Sequence, residues 1–202
     1  MRVDLDDFER MYRSTADPWG FATSTYEQHR YDTTIAALPR EHYRRCLEPG
    51  CSVGALTVRL AAVADEVTAL ESSSTAVAAA VRRVSEMAVT GRAPGRVEVV
   101  QGAIPEKMPP GTFDLIVFSE IGYYWDEVEL RVVLARMFES LEPGGDLVAV
   151  HWLGQSPDHL LAGADVHRIL GGIARRGAAR HLLTTVVVGS NEAGFIIDVW
   201  RR

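Results

Sequence analysis

The sequence contains almost no lysine, only two cysteines and no long apolar run. Lys107 is the only lysine in 202 residues, and the formal net charge is −6. A chain with this acidic balance lacks the basic surface expected of a protein that binds nucleic-acid duplexes. No apolar run reaches the roughly 18 residues of a membrane span, and the acidic, polar start shows no signal peptide. We therefore predict a cytoplasmic protein that binds neither nucleic acid nor a membrane.

The two cysteines are Cys46 and Cys51. Their number allows one disulfide, but thiols are expected in a cytoplasmic protein. No Cys and His residues stand at the spacing of a metal site, so we predict no bound metal. With 47% hydrophobic and 24% charged residues, the composition is that of an ordinary globular protein. We predict a single domain over residues 1–202, with a core fold in 41–202 and a helical extension in 1–40.

Residues 47–57 have the pattern of a strand end, a glycine loop and a helix start. Gly50 permits a positive φ, and Gly54 permits a close approach of the backbone to a ligand. Ser52 is predicted to be the N-cap of the helix. The apolar residues of that helix recur at helical spacing: Leu56, Leu60 and Val63.

A short apolar strand ends in Glu71, roughly 20 residues after the loop, where α/β nucleotide sites place the acid that binds the ribose. The loop lacks both the Gly-Lys-Ser/Thr of a phosphate-binding loop and the full G-x-G-x-x-G of a dinucleotide site. Glu48, Gly50 and Gly54 form the pattern E-x-G-x-x-x-G, which resembles motif I of class I methyltransferases that use S-adenosyl-L-methionine (SAM). The resemblance implies that the loop, with Cys51, backs the methionine part of SAM and that Glu71 holds the ribose hydroxyls.

Strand and helix patterns alternate along the rest of the chain. Helices are predicted over 1–15, 24–38, 74–90, 126–142 and 158–170, and strands over 41–48, 67–71, 97–100, 113–120, 146–152, 182–188 and 194–200. Turns are expected at 91–95, 143–145 and 189–191, with helix caps at 72–74 and Asp126. This order predicts an α/β, Rossmann-like fold of the class I methyltransferase type. Its seven-stranded, mostly parallel sheet has helices on both faces, an N-terminal helical cap and a closing hairpin with the one antiparallel strand.

The segment after the third strand departs from the usual methyltransferase pattern. Many SAM enzymes carry an aspartate there that binds the adenine amino group, but Ala103 stands in its place. The backbone N–H groups of Ala103 and Ile104 are the expected adenine partners instead. Ser72 and Ser119, each at the end of a strand, complete the predicted cofactor contacts in the core.

Two strand ends in the second half carry candidate catalytic groups. Functional residues in doubly wound sheets gather at the carboxyl ends of strands. Glu120 is a candidate base for the acceptor. His151 is a second candidate base, with a hydrogen-bonded structural histidine as the alternative. Acceptor contacts are predicted at Tyr123, Tyr124, Trp152 and His167.

Three nearby residues have weaker assignments. Of Tyr123, Tyr124 and Trp125, at least one is expected to be core packing. Asp165 is another candidate for the acceptor mouth, whereas His159 is expected on the surface. These assignments rest on position along the chain alone.

The N-terminal extension has two interpretations. As a lid, it would place Trp19 and Tyr26 near the sulfonium of SAM by cation–π attraction, and Arg30 against the methionine carboxylate. As a cap, it would only cover the sheet. The residues favour neither interpretation.

Several segments, which together span most of the chain, resemble the nodulation protein S (NodS) family of SAM-dependent methyltransferases. They are Asp17-Pro18-Trp19-Gly20-Phe21, Tyr26-Glu27, Leu38-Pro39-Arg40, Glu48 to Thr57, Phe113 to Val117, Ser119-Glu120, Tyr123-Tyr124, His151-Trp152 and Val166-His167. The resemblance implies N-methylation of an amino group on an amino sugar, since the family's named member methylates the free amine of a de-N-acetylated chitooligosaccharide. The chain departs from the pattern at Glu71, where aspartate is commoner, and after the third strand.

Two other functions stay open at the level of sequence. The aromatic residues at 123–125 would also suit an O-methyltransferase of a natural-product hydroxyl. The missing acid after the third strand would suit a SAM-binding partner protein without catalysis. In each case SAM is the predicted cofactor; in the two catalytic cases a small molecule is the predicted acceptor, and S-adenosyl-L-homocysteine (SAH) is the product.

Overall fold

A computed structural model describes residues 4–89, 95–188 and 193–202. The chain divides into two compact units, Asp4–Pro109 and Pro110–Arg202. The predicted turns at 91–94 and 189–191, together with the first three residues of the first predicted helix, lie outside the described residues. The single-domain organisation stays a prediction.

The first unit contains four helices and three parallel strands. The helices are α1 (Leu5–Ser14), α2 (Thr25–Ala36), α3 (Thr57–Leu60) and α4 (Ser74–Val89), and the strands are β1 (Tyr43–Pro49), β2 (Ala64–Glu71) and β3 (Arg96–Gln101). β2 lies between the other two strands, with Val67 opposite Cys46 on one side and Val97 on the other. Ser73 caps α4, because its Oγ accepts a hydrogen bond from the N–H of Ala76 at 3.1 Å.

The second unit contains two helices and four strands. They are β4 (Phe113–Ser119), α5 (Glu127–Ser140), β5 (Leu141–Trp152), α6 (Gly163–Arg176), β6 (Arg180–Val187) and β7 (Phe195–Arg201), with a 3₁₀ turn at Gly122–Tyr124. β5 pairs in parallel with β4, whereas β7 is antiparallel to both β5 and β6. The buried Asp146 of β5 binds the Arg201 guanidinium of β7 through both carboxylate oxygens, at 2.7 and 3.0 Å.

The predicted fold class is confirmed. Within residues 4–89, 95–188 and 193–202, seven strands make a mostly parallel sheet accompanied by six helices, and β7 is its antiparallel member. The caps at Ser73 and Asp126 are also confirmed. None of the described helices is long and apolar enough to cross a membrane.

Three predicted boundaries are wrong. Ser52 is not an N-cap: it adopts a left-handed conformation in the loop, with φ 52°, and the short α3 begins only at Thr57. β5 begins at Leu141 and continues through the predicted turn at 143–145, with a register shift against β4. α6 begins at Gly163, so the segment from 158 to 162 is not helical.

Candidate functional site

The glycine loop of the first unit is held between β2 and α4. The N–H groups of Gly50 and Cys51 both donate to the carbonyl oxygen of Leu70, at 2.7 and 2.8 Å. Gly54 has φ +76°, and a Cβ at this position would lie 3.1 Å from both Cα and Cβ of Ala80. A side chain at Gly54 would therefore force α4 away from the loop.

Glu71 ties the loop to the start of α4. Its carboxylate accepts hydrogen bonds from the N–H of Ser52 at 2.9 Å, from the N–H of Ser73 at 2.9 Å and from Ser72 Oγ at 3.2 Å. Burial raises the pKa of Glu71, and these hydrogen bonds oppose the shift. The acid predicted to bind a ribose is thus fixed in place by the loop itself.

Glu48 is a second buried carboxyl group of the first unit. Its side chain is 3% exposed and accepts a hydrogen bond from Thr57 Oγ1 at 2.6 Å. Burial raises the pKa of Glu48 to about 8, and the charge of Glu71 contributes in the same direction. Cys46 and Cys51 are buried thiols, as predicted, and burial raises the pKa of Cys51 well above its usual value.

The predicted adenine segment forms a turn after β3. The N–H of Gly102 donates to the Glu71 carbonyl oxygen at 2.8 Å, and the N–H of Lys107 donates to that of Ala103 at 2.9 Å. Ile104 is buried, whereas Lys107 is exposed, with Nζ 3.4 Å from the carbonyl oxygen of Gln101. A hydrogen bond between backbone groups therefore holds the turn that contains Ala103 and Ile104.

Two residues of α1 that the sequence did not single out contact the loop and α4. The Tyr12 hydroxyl donates a hydrogen bond to Ser52 Oγ. The Glu9 carboxylate accepts from Ser73 Oγ at 2.6 Å, from Thr75 Oγ1 at 2.8 Å and from the N–H of Thr75 at 3.2 Å. These bonds lower the pKa of Glu9 to about 2.

The predicted lid residues have partners inside the first unit. Trp19 stacks on Phe21 with ring centroids 5.5 Å apart and meets the edge of Tyr12 at the same separation. Arg30 is buried, forms an ion pair with Glu27 and lies 6.0 Å from the ring centroid of Tyr26. A ligand carboxylate at Arg30 would compete with Glu27, so the roles of these residues toward SAM stay predictions.

In the second unit, Glu120 follows the last residue of β4, Ser119, in a left-handed conformation with φ 61°. Its N–H donates to the Val150 carbonyl oxygen at 2.9 Å. One carboxylate oxygen accepts from the N–H of Trp152 at 2.7 Å, and the other accepts from the Tyr123 hydroxyl at 2.7 Å. A left-handed residue that is not glycine persists where its surroundings hold it, and such residues cluster at functional sites.

Aromatic rings surround this carboxylate. Tyr123 stacks on His159 with centroids 3.8 Å apart, and Tyr124 meets the edge of His159 at 5.4 Å. Trp152 meets the His159 ring edge-on at 6.1 Å. Trp125 is the predicted core member, because it is buried and stacks on Phe118.

His159, expected on the surface, is half-buried, because its ring stacks on Tyr123. Burial lowers the pKa of this imidazole, and its buried Nδ1 has no hydrogen-bond partner among the described residues. The sequence contained no local signal for this contact, because His159 lies in an irregular segment that reaches Tyr123 through the fold.

His151 and His167 are brought together, along with Asp198, which the sequence did not suggest. The N–H of Gly122 donates to His151 Nε2 at 3.0 Å, and His151 Nδ1 lies 3.1 Å from His167 Nε2. His167 Nδ1 lies 2.7 Å from Asp198 Oδ2. Asp165 instead pairs with Arg168 at 3.2 Å.

No group of three or more His, Cys, Asp or Glu side chains within residues 4–89, 95–188 and 193–202 is arranged to hold a metal ion. The polar groups at the two candidate sites are carboxylates, imidazoles and backbone amides. Such groups bind and deprotonate organic ligands.

A family model described as Nodulation protein S matches residues 4–167, most of the chain. The chain belongs to the NodS family. The resemblance in the sequence is thereby confirmed. Nodulation protein S of Rhizobium tropici is 27% identical over 147 residues, which cover 71% of this chain and 59% of that protein. The alignment thus spans only about three-fifths of that relative.

Two solved structures are similar to this chain. A candidate methyltransferase from Pseudomonas syringae is 35% identical, with a TM-score of 0.70, and the match covers 89% of this chain and all of the other. The N-methyltransferase NodS from Bradyrhizobium japonicum, in complex with SAH, has a TM-score of 0.82 and 21% identity, with 99% of both chains covered. At that identity the second likeness shows the shared fold.

Proposed function

We propose that this NodS-family protein is a SAM-dependent methyltransferase that transfers a methyl group to a small-molecule amine in the cytoplasm and releases SAH. The observation that carries the proposal is the glycine loop fixed on a buried carboxylate, Glu71. Family membership and the fold shared with an SAH-bound N-methyltransferase support it.

The residues around the loop fit such a cofactor. A carboxylate oxygen accepts more than one hydrogen bond, so Glu71 can keep its amide partners and also hold ribose hydroxyls. Glu48 is buried with a raised pKa, and a nearby cationic group would favour its ionised form. We assign cofactor contacts to residues of the glycine loop, of the strand ends and of the N-terminal extension. They are Glu48, Gly50, Cys51, Gly54, Glu71, Ser72, Ala103, Ile104, Ser119, Trp19, Tyr26 and Arg30.

SAM supplies a methyl group on an activated sulfonium. The chain's own residues then have to position the acceptor, exclude water and accept a proton, because an amine attacks only in its neutral form. We assign proton removal to Glu120, whose carboxylate is oriented by Trp152 and Tyr123. The ring nitrogens of His151, the other predicted base, are both in hydrogen bonds.

The acceptor is proposed to be an amino sugar or oligosaccharide with a free amine. Tyr124 and Trp152 offer aromatic surface near an acidic group, which the buried Tyr123 holds through its hydroxyl. The orphaned Nδ1 of His159 is a polar atom that a bound ligand would satisfy. The same aromatic surface also suits a flat phenolic acceptor, which makes O-methylation the second candidate.

Methyl transfer from labelled SAM tests the proposal. The acceptors are glucosamine oligomers, the same oligomers fully N-acetylated, and simple phenols. Transfer to the free amines alone is expected, whereas transfer only to phenols would replace the proposal with O-methylation. SAM binding without transfer to any acceptor would favour the non-catalytic alternative.

Replacing the proposed base tests the mechanism. Glu120→Gln keeps the shape of the side chain but removes the proton acceptor, and a positioned base contributes roughly 100- to 10,000-fold. We expect kcat to fall within that range, with SAM affinity unchanged. Glu139→Gln, the same change at an exposed position of α5, is the control. Full kcat in Glu120→Gln would exclude Glu120 as the base.

A further inference from the structure

The direction of one buried hydrogen bond fixes the protonation of His151. This side chain is fully buried, and its Nε2 faces the N–H of Gly122 at 3.0 Å. A backbone N–H can only donate, so Nε2 must carry its lone pair. The proton of the neutral imidazole therefore lies on Nδ1, which faces His167.

The same donor and acceptor argument applies to His167 and then to Asp198. His151 Nδ1–H donates to His167 Nε2 at 3.1 Å, which leaves the His167 proton on Nδ1. That proton is donated to Asp198 Oδ2 at 2.7 Å. Burial opposes ionisation of Asp198, but hydrogen bonds from His167, Thr184 and His181 outweigh it and lower the pKa of the carboxyl. Every donor thus points toward one ionised group.

The chain of bonds ends at a crowded glycine. A Cβ on Gly122 would lie 2.6 Å from His151 Nε2 and 2.5 Å from Val166 Cγ1, so no side chain fits there. Gly122 stands between the left-handed Glu120 and Tyr123, whose hydroxyl binds the Glu120 carboxylate. Holding the Gly122 amide therefore holds the backbone that aims Glu120.

We propose that His151, His167 and Asp198 are positioning residues that fix the Gly122 amide and thereby aim the Glu120 carboxylate. His151 does not exchange a proton with the acceptor, because its Nε2 lone pair is held by the amide. This inference rests on the proposed role of Glu120. It includes Asp198, the acid that fixes both histidine tautomers, which lies outside residues 4–167 matched by the family model.

Nuclear magnetic resonance of the whole protein tests the protonation directly. In a protein labelled with ¹⁵N-histidine, long-range proton–nitrogen spectra should show His151 and His167 protonated on Nδ1 and unprotonated on Nε2. A proton on Nε2 of His151 would overturn the proposal, because the Gly122 amide would then have lost its acceptor.

Variants of the hydrogen-bonded side chains His167 and Asp198 test their effect on activity. His167→Phe removes both nitrogens, whereas His167→Gln keeps one donor and one acceptor. Asp198→Asn keeps the shape but lets an amide donor face His167 and favour the wrong tautomer. Arg176→Gln, at an exposed position of α6, is the control. SAH affinity, measured by calorimetry, reports whether each variant is folded.

His167→Phe and Asp198→Asn should lower kcat roughly tenfold or more, the size expected when a buried group loses its partner. The Gly122 amide should exchange its hydrogen faster in both, SAH affinity should stay within about twofold, and His167→Gln should restore much of the activity. Unchanged kcat and unchanged exchange in His167→Phe would overturn the proposal. If the wild type methylates no acceptor, the proposed function is wrong. The histidine spectra and the amide exchange rates then still test whether His151, His167 and Asp198 fix the Gly122 amide.

Discussion

Glu48 is the residue whose burial has the clearest measurable consequence. Its pKa of about 8 in the folded protein lies well above the ordinary value of 4.5. Between these values the folded state keeps a proton that the unfolded state has lost. The contribution of Glu48 to the free energy of unfolding should therefore be largest below about pH 4.5 and fall as the pH rises to about 8, by at most about 1.4 kcal/mol per pH unit.

Glu48→Gln should flatten that decline, because an amide keeps a hydrogen bond with Thr57 but does not ionise. Denaturant unfolding between pH 5 and 8 measures the slope. Part of the slope should remain in the variant, since burial also raises the pKa of Glu71. Glu86→Gln, at an exposed position of α4, is the control. An identical slope in Glu48→Gln and wild type would mean that Glu48 is ionised in the folded protein.

At the scale of single residues, the sequence predicts those whose role depends on a short local pattern. Gly50 and Gly54 stand out by the backbone freedom that a tight loop needs, and both adopt positive φ. Tyr12 and Asp198 could not be found this way. Tyr12 binds Ser52 from 40 residues away, and His167 binds Asp198 across 31 residues. Such pairs depend on the packing of elements, which no local pattern encodes.

At the scale of elements, the Glu9 side chain of α1 binds the start of α4. The Glu9 carboxylate accepts from groups at the start of α4, where unpaired N–H groups and the helix dipole favour a negative charge. Because the pKa of Glu9 is lowered to about 2, the contact should be intact above about pH 4.5 and be lost as the pH falls toward 2.

Glu9→Ala should release α1, and the amides of α1 should then exchange hydrogen faster at neutral pH. Mass-spectrometric hydrogen exchange checks this, with Asp7→Ala on the same helix as the control. Asp7 forms an ion pair with Arg10 on the same helix. Equal exchange of α1 in Glu9→Ala and wild type would show that the helix is held by its apolar contacts alone.

Two wrongly predicted boundaries, at the start of β5 and at α3, also concern whole elements. Proline and glycines at 143–145 predict a turn, yet β5 continues through them. The register with β4 shifts between Leu141 and Asp146, and Gly144 has a positive φ of 78°, so the glycine forms an irregularity within the strand instead of a turn before it. The helix after the glycine loop is only four residues long, although its apolar spacing suggested more.

At the scale of the whole molecule, ligand binding and stability are linked. A ligand that binds only the folded state stabilises it by about 2.7 kcal/mol at 100 times its Kd. SAH should therefore raise the Tm progressively with its concentration, by roughly 2–4 °C per kcal/mol for a chain of this size. Scanning calorimetry with increasing SAH measures the shift.

Glu71→Gln should lose most of that shift, because an amide cannot accept from both Ser52 and Ser73 and also hold the ribose. Glu66→Gln lies on the same strand at an exposed position and should keep the full shift. A Tm that does not respond to SAH in the wild type would contradict the cofactor assignment. An equal shift in both variants would place the ribose elsewhere.

The fold class was the most predictable property of the molecule. Strand, loop and helix patterns alternate in an order that few architectures allow, and the acid at the end of β2 narrows the choice to nucleotide-type sites. The acceptor side was less predictable. His159 lies in an irregular segment, and its contact with Tyr123 exists only once that segment is folded.

The single lysine gives the natural sequence an unusual practical property. Lys107 is exposed and lies in the turn whose backbone is closed by Ala103. Within these 202 residues, an amine-reactive fluorophore therefore has one ε-amino group to modify. A dye attached there sits four residues from the predicted adenine contact. The unsubstituted protein thus carries a ready attachment point for an optical sensor of cofactor occupancy.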